Sequence, residues 1–199
     1  MPYSQFTLTK VKKDFKLTIV EGEQFFPSIK PITPSSRLVS ELEDLTWTIA
    51  VGSEKARSEA IIYPVLQEVR RIFDRKISLF SGREFSVDPI LDLTGYVDFL
   101  IGRSSEQLII EAPVIVVVEA KKADLNEGLG QCVAEMLAAQ RFNEVAENSI
   151  PTVYGCISSG TQWRFLKLEK AVVTVDLVDY PLLPIEQILG FLVWMVREG

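Results

Sequence analysis

A run of five consecutive β-branched apolar residues, 114–118, is followed at once by Glu119, Ala120 and Lys121. Valine and isoleucine favour β-strands, and a strand that is apolar on both sides has to be covered on both faces. The run therefore predicts the central strand of a sheet that has helices on each side. Because side chains alternate along a strand, Glu119 and Lys121 share one face and project side by side from its end.

Helical and strand patterns alternate on either side of this run. Ser53 is a good N-cap for a long helix that reaches about residue 74 and that Pro64 interrupts. A second helix is predicted over about 126–143, and a third begins near Pro184 and ends at about 196. The predicted strands are 77–80, 85–87, 93–101, 114–121, 152–157, 162–168 and 172–177.

The core order of helix, three strands, helix and strand predicts an α/β fold with a central mixed sheet flanked by helices. Residues 53–168 are expected to form this core, and 169–199 add a strand and a helix to the same domain. Residues 1–52 indicate an irregular N-terminal extension that packs on the core, with strand-like alternation at Phe6 and Leu8 and a short helix at 38–45.

Histidine is absent from the 199 residues, which excludes Ser-His-Asp and Cys-His catalysis and the zinc sites that need imidazole. Chemistry must then come from carboxylates, lysine, tyrosine, serine or a hard metal ion. The formal net charge of −6 argues against a surface that binds polyanions everywhere, but it leaves room for a local basic cleft. Cys132 and Cys156 have no CxxC spacing and are predicted to be buried free thiols.

The apolar runs of the chain are short. The longest, 114–118 and 191–196, fall far below the roughly 20 residues of a membrane-spanning helix. The first residues, MPYSQFTLTK, contain no apolar leader segment. We therefore expect a soluble cytoplasmic protein that does not bind membranes.

The predicted strand 93–101 carries one acid, Asp98, inside an otherwise apolar stretch. If this strand pairs antiparallel with the central one, Asp98 lies beside Glu119. Two neighbouring carboxylates repel each other, and a divalent cation lets both stay ionised. Oxygen ligands without histidine or cysteine favour Mg²⁺ or Mn²⁺. The alternative is a structural cross-strand ion pair that includes Lys121.

An acid two positions before a lysine occurs three times, beginning at Asp14, Asp74 and Glu119. About one or two such matches are expected by chance, so the spacing alone carries little weight. Only the match at Glu119 ends a buried strand, and this context selects it.

Two further polar residues begin the packing faces of the predicted helices. Glu59 lies near the start of the first helix, where an interaction with the helix dipole explains it as well as a functional role does. Gln131 lies in the first turns of the second helix, in register with the small residues Ala134 and Ala138. Both positions are expected to reach the strand ends.

These residues together resemble the PD-(D/E)XK nuclease superfamily, which has the restriction-endonuclease-like αβββαβ fold. The resemblance covers roughly residues 53 to 168 and departs from the motif in that no proline precedes the aspartate. The matching residues are Glu59, Asp98 in GYVD, Glu119 and Lys121 in VVVEAKK, and Gln131 in GLGQCVAEM.

The resemblance implies a metal site and a reaction. Asp98 and Glu119 would bind Mg²⁺ (or Mn²⁺) together with the backbone carbonyl of Ala120. Glu59 would bind a second metal or hold a metal-bound water. The reaction would be metal-assisted hydrolysis of phosphodiester bonds, in DNA rather than RNA.

The remaining roles also follow from the resemblance. Lys121 would position or activate the attacking water and balance charge in the transition state. Gln131 would orient Lys121 or contact the nucleic-acid backbone. Two alternatives stay open: a catalytically inactive nuclease-fold module that binds nucleic acid or protein, and a carboxylate/lysine enzyme that acts on small molecules.

Two basic clusters and one apolar helix indicate contacts with partners. Each cluster could line a nucleic-acid groove or simply be a solvated face. The predicted C-terminal helix is apolar around most of its surface, which indicates deep burial or a homodimer contact. The clusters are Lys10, Lys12, Lys13 and Lys16, and Arg70, Arg71, Arg75, Lys76 and Arg83.

Overall fold

The computed structural model of the chain describes residues 2–22, 24–43, 52–148 and 150–199. It contains a mixed eight-stranded sheet with helices on both faces, so the predicted α/β class is confirmed. The strands are β1 (Thr18–Glu21), β2 (Ser78–Glu84), β3 (Tyr96–Gly102), β4 (Val114–Ala120), β5 (Val153–Ser158), β6 (Gln162–Glu169), β7 (Val172–Val175) and β8 (Tyr180–Pro181).

The helices come before, between and after groups of these strands along the chain. Four of the described helices are single α-helical segments: α1 (Leu8–Asp14), α2 (Ser36–Glu43), α4 (Leu129–Val145) and α5 (Ile185–Glu198). Helix α3 is continuous but irregular: it begins as Glu54–Arg57, widens into a π-helical turn at Ser58–Ile62 and continues as Tyr63–Ile72. Helix α4 follows a short 3-10 turn at Leu125–Gly128.

The strand order is β1–β7–β6–β5–β4–β3–β2, and β8 pairs with β6. The pairs β4–β5 and β1–β7 are parallel, and all other pairs are antiparallel. Helix α4 connects the parallel strands β4 and β5, as a crossover between parallel strands requires. The pairing therefore changes at β4, from antiparallel with β3 to parallel with β5, and the predicted site lies at the end of this strand.

Two apolar layers enclose the sheet. Helices α2, α3 and α5 pack on one face, and α1 and α4 pack on the other. Every residue of β4 is buried, and its side chains contribute to both layers. The prediction of a central strand covered on both faces is therefore confirmed. Cys132 and Cys156 are buried free thiols, as expected.

The N-terminal region differs from the prediction. Phe6 and Leu8 do not belong to a strand, because α1 begins at Leu8 with Thr7 as its N-cap, which accepts a hydrogen bond from the Lys10 N–H at 3.2 Å. Strand β1 joins the edge of the sheet beside β7. The described part of residues 1–52 thus supplies a strand and the helix α1, which the sequence did not indicate, and the helix α2, which matches the described part of the helix predicted at 38–45 and packs on the core as expected.

Several element boundaries also differ. Residues 78–80 of the predicted strand 77–80 belong to the longer strand β2, and 85–87 lies outside the strands. The irregularity of α3 comes before Pro64, as a π-helical turn, and Pro64 lies in the first turn of the regular part. Proline has no N–H and collides with the carbonyl one turn earlier, which favours a wider turn there.

Helix α5 is buried within the chain. Phe191 stacks on Phe26 at a centroid distance of 4.2 Å, and most of the apolar side chains of the helix lie in the core. This packing accounts for its apolar surface, so that surface no longer argues for a dimer, which stays a prediction. None of the described helices combines the length and apolarity needed to cross a bilayer.

Candidate active site

Antiparallel pairing of β3 and β4 brings Asp98 and Glu119 together. The register pairs Phe99 with Val118, so one further step places Asp98 opposite Glu119. The Ala120 N–H donates to Asp98 Oδ2 at 2.8 Å, and the charge of Asp98 raises the pKa of Glu119, as expected of neighbouring carboxyl groups. Only 1% of Glu119 is exposed. The predicted adjacency of the two acids is therefore confirmed.

Lys121 and Gln131 close a ring of contacts around Glu119. Lys121 Nζ forms an ion pair with Glu119 Oε1 and donates to Gln131 Oε1 at 3.3 Å. Gln131 Nε2 in turn donates to Glu119 Oε2 at 2.8 Å. Both predicted residues therefore meet the strand end as the sequence indicated.

The backbone around Lys121 fixes the path of its side chain. The Lys121 N–H donates to the Ser158 carbonyl at 2.8 Å, which continues the β4–β5 pairing past the end of β4. A Cβ added to Gly128 would lie 2.9 Å from Ile157 Cγ2 and 3.2 Å from Lys121 Cγ. A residue without a side chain at 128 thus leaves room for the aliphatic stem of Lys121 to pass.

A third carboxyl group, Glu135, lies behind the ring and was missed by the sequence analysis. It is fully buried on α4, one turn after Gln131, whose Nε2 donates to Glu135 Oε1 at 3.0 Å. Its Oε2 has no hydrogen-bond partner among the described residues. The only signal in the sequence was its position four residues after Gln131. The sequence analysis considered instead the small residues Ala134 and Ala138 of the same helix.

Burial and crowding shift the pKa values of these groups. Burial, followed by the charge of Asp98, raises the pKa of Glu119 to about 8, although Lys121 opposes the shift. Burial also raises the pKa of Asp98, partly offset by the Ala120 N–H, and it raises the pKa of Glu135 well above its ordinary value. For Lys121, burial would lower the pKa, but the Glu119 carboxylate outweighs it and the net shift is upward.

A cleft of about 290 Å³ opens beside Asp98 and Ala120, and the start of α3 forms its other wall with Glu54 and Glu59. Glu59 lies in this wall with 68% of its side chain exposed, 3.6 Å from Lys55 Nζ. Glu54, which the sequence analysis passed over, contributes more to the electrostatics, because its charge raises the pKa of both Glu119 and Lys121.

The donor atoms around the cleft suit a hard cation in kind. The Ala120 N–H points at Asp98, and the carbonyl of a strand residue points to the same edge as its N–H. The Glu119 oxygens each accept a bond from Lys121 or Gln131 and keep a second lone pair. Among the described residues, no group of three or more acidic, cysteine or histidine side chains is arranged to hold a metal. Two carboxylates with a carbonyl remain an ordinary protein share of a Mg²⁺ shell that water and substrate complete.

No protein-family model, curated protein or solved structure matches this chain. The resemblance to PD-(D/E)XK nucleases therefore stays a prediction that rests on residue types and their order. The structure brings four of its five residues into contact, namely Asp98, Glu119, Lys121 and Gln131. It puts the fifth, Glu59, on the opposite wall of the cleft.

Proposed function

We propose that the protein is a metal-dependent nuclease that hydrolyses phosphodiester bonds in DNA. The observation that carries this proposal is the contact of Asp98, Glu119 and Lys121 at the end of the most buried strand, next to an open cleft. Buried carboxylates that crowd one another are costly, and such groups concentrate at functional sites. A bound cation would relieve the repulsion between them.

The oxygen atoms of Asp98, Glu119 and the Ala120 carbonyl would hold Mg²⁺ or Mn²⁺. When bound, such an ion polarises a phosphoryl oxygen and lowers the pKa of water. Glu59 and Glu54 face the same cleft and could orient water on its far side. Among the described residues that contact Glu119, Lys121 is the one that supplies a positive charge.

Lys121 has the properties that hydrolysis of a phosphodiester requires of a cationic partner. Its raised pKa keeps the ammonium group charged at neutral pH, and only 17% of its side chain is exposed. A preorganised positive charge stabilises the negative charge that develops on the phosphate and costs no reorganisation during the reaction. Gln131 holds Lys121 and Glu119 in register through one amide group.

A second candidate is a nuclease-fold module that binds nucleic acid or protein without catalysis. Two observations favour it: Glu119 already has a protein partner for each oxygen, and Glu59 is largely exposed beside Lys55. In such a module the Lys121–Glu119 pair simply neutralises a buried acid.

Metal binding and cleavage together test the proposal. Calorimetry with Mn²⁺ and cleavage of labelled DNA are measured for wild type, Asp98→Asn, Glu119→Gln and the surface control Glu144→Gln. We expect wild type and Glu144→Gln to bind the ion and cut, and both active-site variants to lose both properties. DNA binding that is unchanged in EDTA, with no cleavage of any DNA or RNA in Mn²⁺, would support the inactive module instead.

A further inference from the structure

A second cleft, distinct from the candidate active site, lies between α2 and α3 and concentrates positive charge. Its volume is about 370 Å³, in the lower range of ligand pockets at about 300–1,000 Å³. Four guanidinium groups and one carboxylate line it, on a chain with a net charge of −6. This arginine cleft consists of Arg37, Arg70, Arg71 and Arg75, with Glu41, Tyr63, Pro64 and Gln67.

The protein holds three of the arginines by one edge each. Arg71 Nη1 donates to the buried Glu68 Oε2 at 3.1 Å, and Arg70 Nε donates to the Ile77 carbonyl at 3.0 Å. Arg37 Nε donates to Glu41 Oε1 at 2.7 Å. A guanidinium group has five N–H donors, so each keeps donors for a ligand. The contacts of Arg70 and Arg71 orient these two groups, whereas Arg37 is 69% exposed and pairs only with Glu41 one turn away on α2.

Arg75 is the fourth arginine and has no such anchor. It is exposed, and its side chain has no hydrogen-bond or ion-pair partner among the described residues. Its backbone φ is 61°, a left-handed conformation that residues other than glycine rarely adopt. A guanidinium group is thus kept at the rim of the cleft at a position where glycine would suit the backbone better.

Helix α3 connects this cleft to the candidate active site. Glu54 and Glu59 at its start face the active-site cleft, whereas Tyr63 and Arg70 face the arginine cleft. At about 1.5 Å per residue, Glu59 and Arg70 are separated by roughly 16 Å along the helix axis. This distance corresponds to about five base steps of a duplex, at about 3.4 Å per step.

We propose that the arginine cleft binds phosphate groups of the nucleic-acid backbone at a distance of several nucleotides from the candidate active site. Planar guanidinium groups bind phosphate oxygens through paired N–H donors, and the Tyr63 ring, which stacks on Phe99, adds an aromatic surface. The choice of nucleic acid over another phosphate-bearing ligand rests on the proposed function. On a surface that is acidic overall, this cleft would supply the positive charge that DNA binding requires.

Arg75→Gly tests the cleft with little risk to the fold, because glycine accepts the left-handed backbone at this position. Lys16→Gly is the matched control: Lys16 is also exposed, has φ 55°, and follows α1 on the opposite face of the sheet. Both substitutions remove one positive charge. Fluorescence anisotropy of the full chain with labelled duplex and single-stranded oligonucleotides, in EDTA between about 50 and 200 mM salt, gives affinity and salt dependence.

We expect Arg75→Gly to weaken binding several-fold for every sequence, and to reduce the slope of log affinity against log salt by about 0.9 for duplex or about 0.7 for single strands. Lys16→Gly should leave both quantities unchanged, and thermal melting should show both variants folded. Excess inorganic pyrophosphate should compete with the oligonucleotide for wild type. Tight pyrophosphate binding without oligonucleotide binding would mean that the cleft holds a free phosphate compound and would overturn the inference.

The inference is also overturned if Arg75→Gly binds like wild type, or if Lys16→Gly is the variant that loses affinity, since the basic cluster of α1 would then be the contact. These results are separate from the proposed function because EDTA removes the metal. A wild type that binds through Arg75 but never cuts in Mn²⁺ refutes the nuclease and keeps the arginine cleft. Cleavage that is unaffected by Arg75→Gly, with unchanged affinity, refutes only the cleft.

Discussion

Two buried glutamates, Glu68 and Glu119, lie on opposite faces of the same sheet and differ in what surrounds them. Glu68 is 3% exposed and accepts hydrogen bonds from the Ser35 N–H at 2.8 Å, Ser35 Oγ at 3.0 Å and Arg71 Nη1 at 3.1 Å. Burial would raise its pKa, but the Ser35 and Arg71 contacts outweigh it and the net shift is downward. At Glu119 the balance is reversed, and burial together with Asp98 raises the pKa to about 8.

The difference shows that burial alone does not decide the charge of an acid. What decides it is whether donors or other acids fill the space around the carboxyl group. Glu68 connects the start of α2 to α3 and has enough donors, as expected of a group that stabilises the fold. Glu119 shares one of its two donors, Gln131 Nε2, with Glu135 and faces Asp98, an arrangement that suits the binding of a cation better than it suits stability.

The largest expected effect of a substitution is on hydrolysis and concerns only the Glu119 side. Lys121→Met keeps most of the side-chain volume but removes the ammonium group that pairs with Glu119. If the proposed function is right, the rate of DNA cleavage should fall by about 10²–10³-fold, the usual cost of one transition-state contact. Steady-state cleavage assays measure it, with Lys167→Met as a control lysine on β6. A rate within threefold of wild type, a bound of roughly 0.7 kcal/mol, would contradict the role given to Lys121.

The next largest effect is on stability and concerns the Glu68 side. Glu68→Gln keeps the size of the side chain but removes the charge to which Ser35 and Arg71 donate. Hydrogen bonds to charged groups contribute about 1.5–3 kcal/mol each, so the free energy of unfolding should fall by about 2–3 kcal/mol. Urea titrations measure this loss. The same substitution at the exposed Glu144 should change the value by less than about 0.5 kcal/mol, and equal losses at both positions would refute the comparison.

The two glutamates should also give the unfolding free energy opposite dependences on pH. In the folded protein without a cation, the pKa of Glu119 is raised from the ordinary glutamate value of 4.5 to about 8 in spite of Lys121, so this carboxyl group takes up a proton at a higher pH than in the unfolded chain. The folded state therefore binds more protons in this window, and stability falls as pH rises from about 4.5 to 8. For Glu68 the folded pKa lies below 4.5, so its contribution is present above that pH and is lost as pH falls.

Glu119→Gln separates these two contributions. Measured in EDTA between pH 5 and 8.5, the variant should show a flatter decline of stability with rising pH than wild type. Its loss of stability on acidification below about pH 4.5 should match wild type, because Glu68 is intact. Identical slopes above pH 5 would show that Glu119 is ionised in the folded protein without penalty.

The sequence predicted the Glu119 side of this comparison better than the Glu68 side. The apolar run of β4 and its charged end are local patterns, and antiparallel pairing with β3 was enough to bring Asp98 to Glu119. Glu68 depends on Ser35, which lies outside the predicted core and is brought close only by tertiary packing. No spacing rule connects the two positions.

The other features that the sequence analysis missed also depend on how distant parts of the chain pack together. Strand β1 is short, lies at the edge of the sheet and pairs with β7 from the other end of the chain. Its β-branched residues Thr18, Ile19 and Val20 favour a strand, but a run this short does not show which strand it would join. Glu135 was hidden because α4 is buried on nearly every side and shows no polar face against which an inward acid would stand out. Arg37 joined the arginine cleft through the packing of α2 on α3.

The smallest expected effect concerns Glu135, the third buried glutamate, and it separates burial from ionisation. Burial and the charge of Glu119 raise the pKa of Glu135 well above its ordinary value, which favours the neutral carboxyl group, and Glu135→Gln replaces it with a neutral group of the same size. The amide oxygen can still accept from Gln131 Nε2, as Glu135 Oε1 does now. The free energy of unfolding should change by less than about 1 kcal/mol, compared with about 2–3 kcal/mol for Glu68→Gln.

Urea titrations of Glu135→Gln and Glu68→Gln at pH 7 make this comparison directly. Because 0% of Glu135 is exposed, a loss as large as that of Glu68→Gln would mean that Glu135 is ionised in the folded protein. That outcome would contradict the raised pKa of Glu135. A small loss would instead support a neutral Glu135 carboxyl group behind the pair of Asp98 and Glu119.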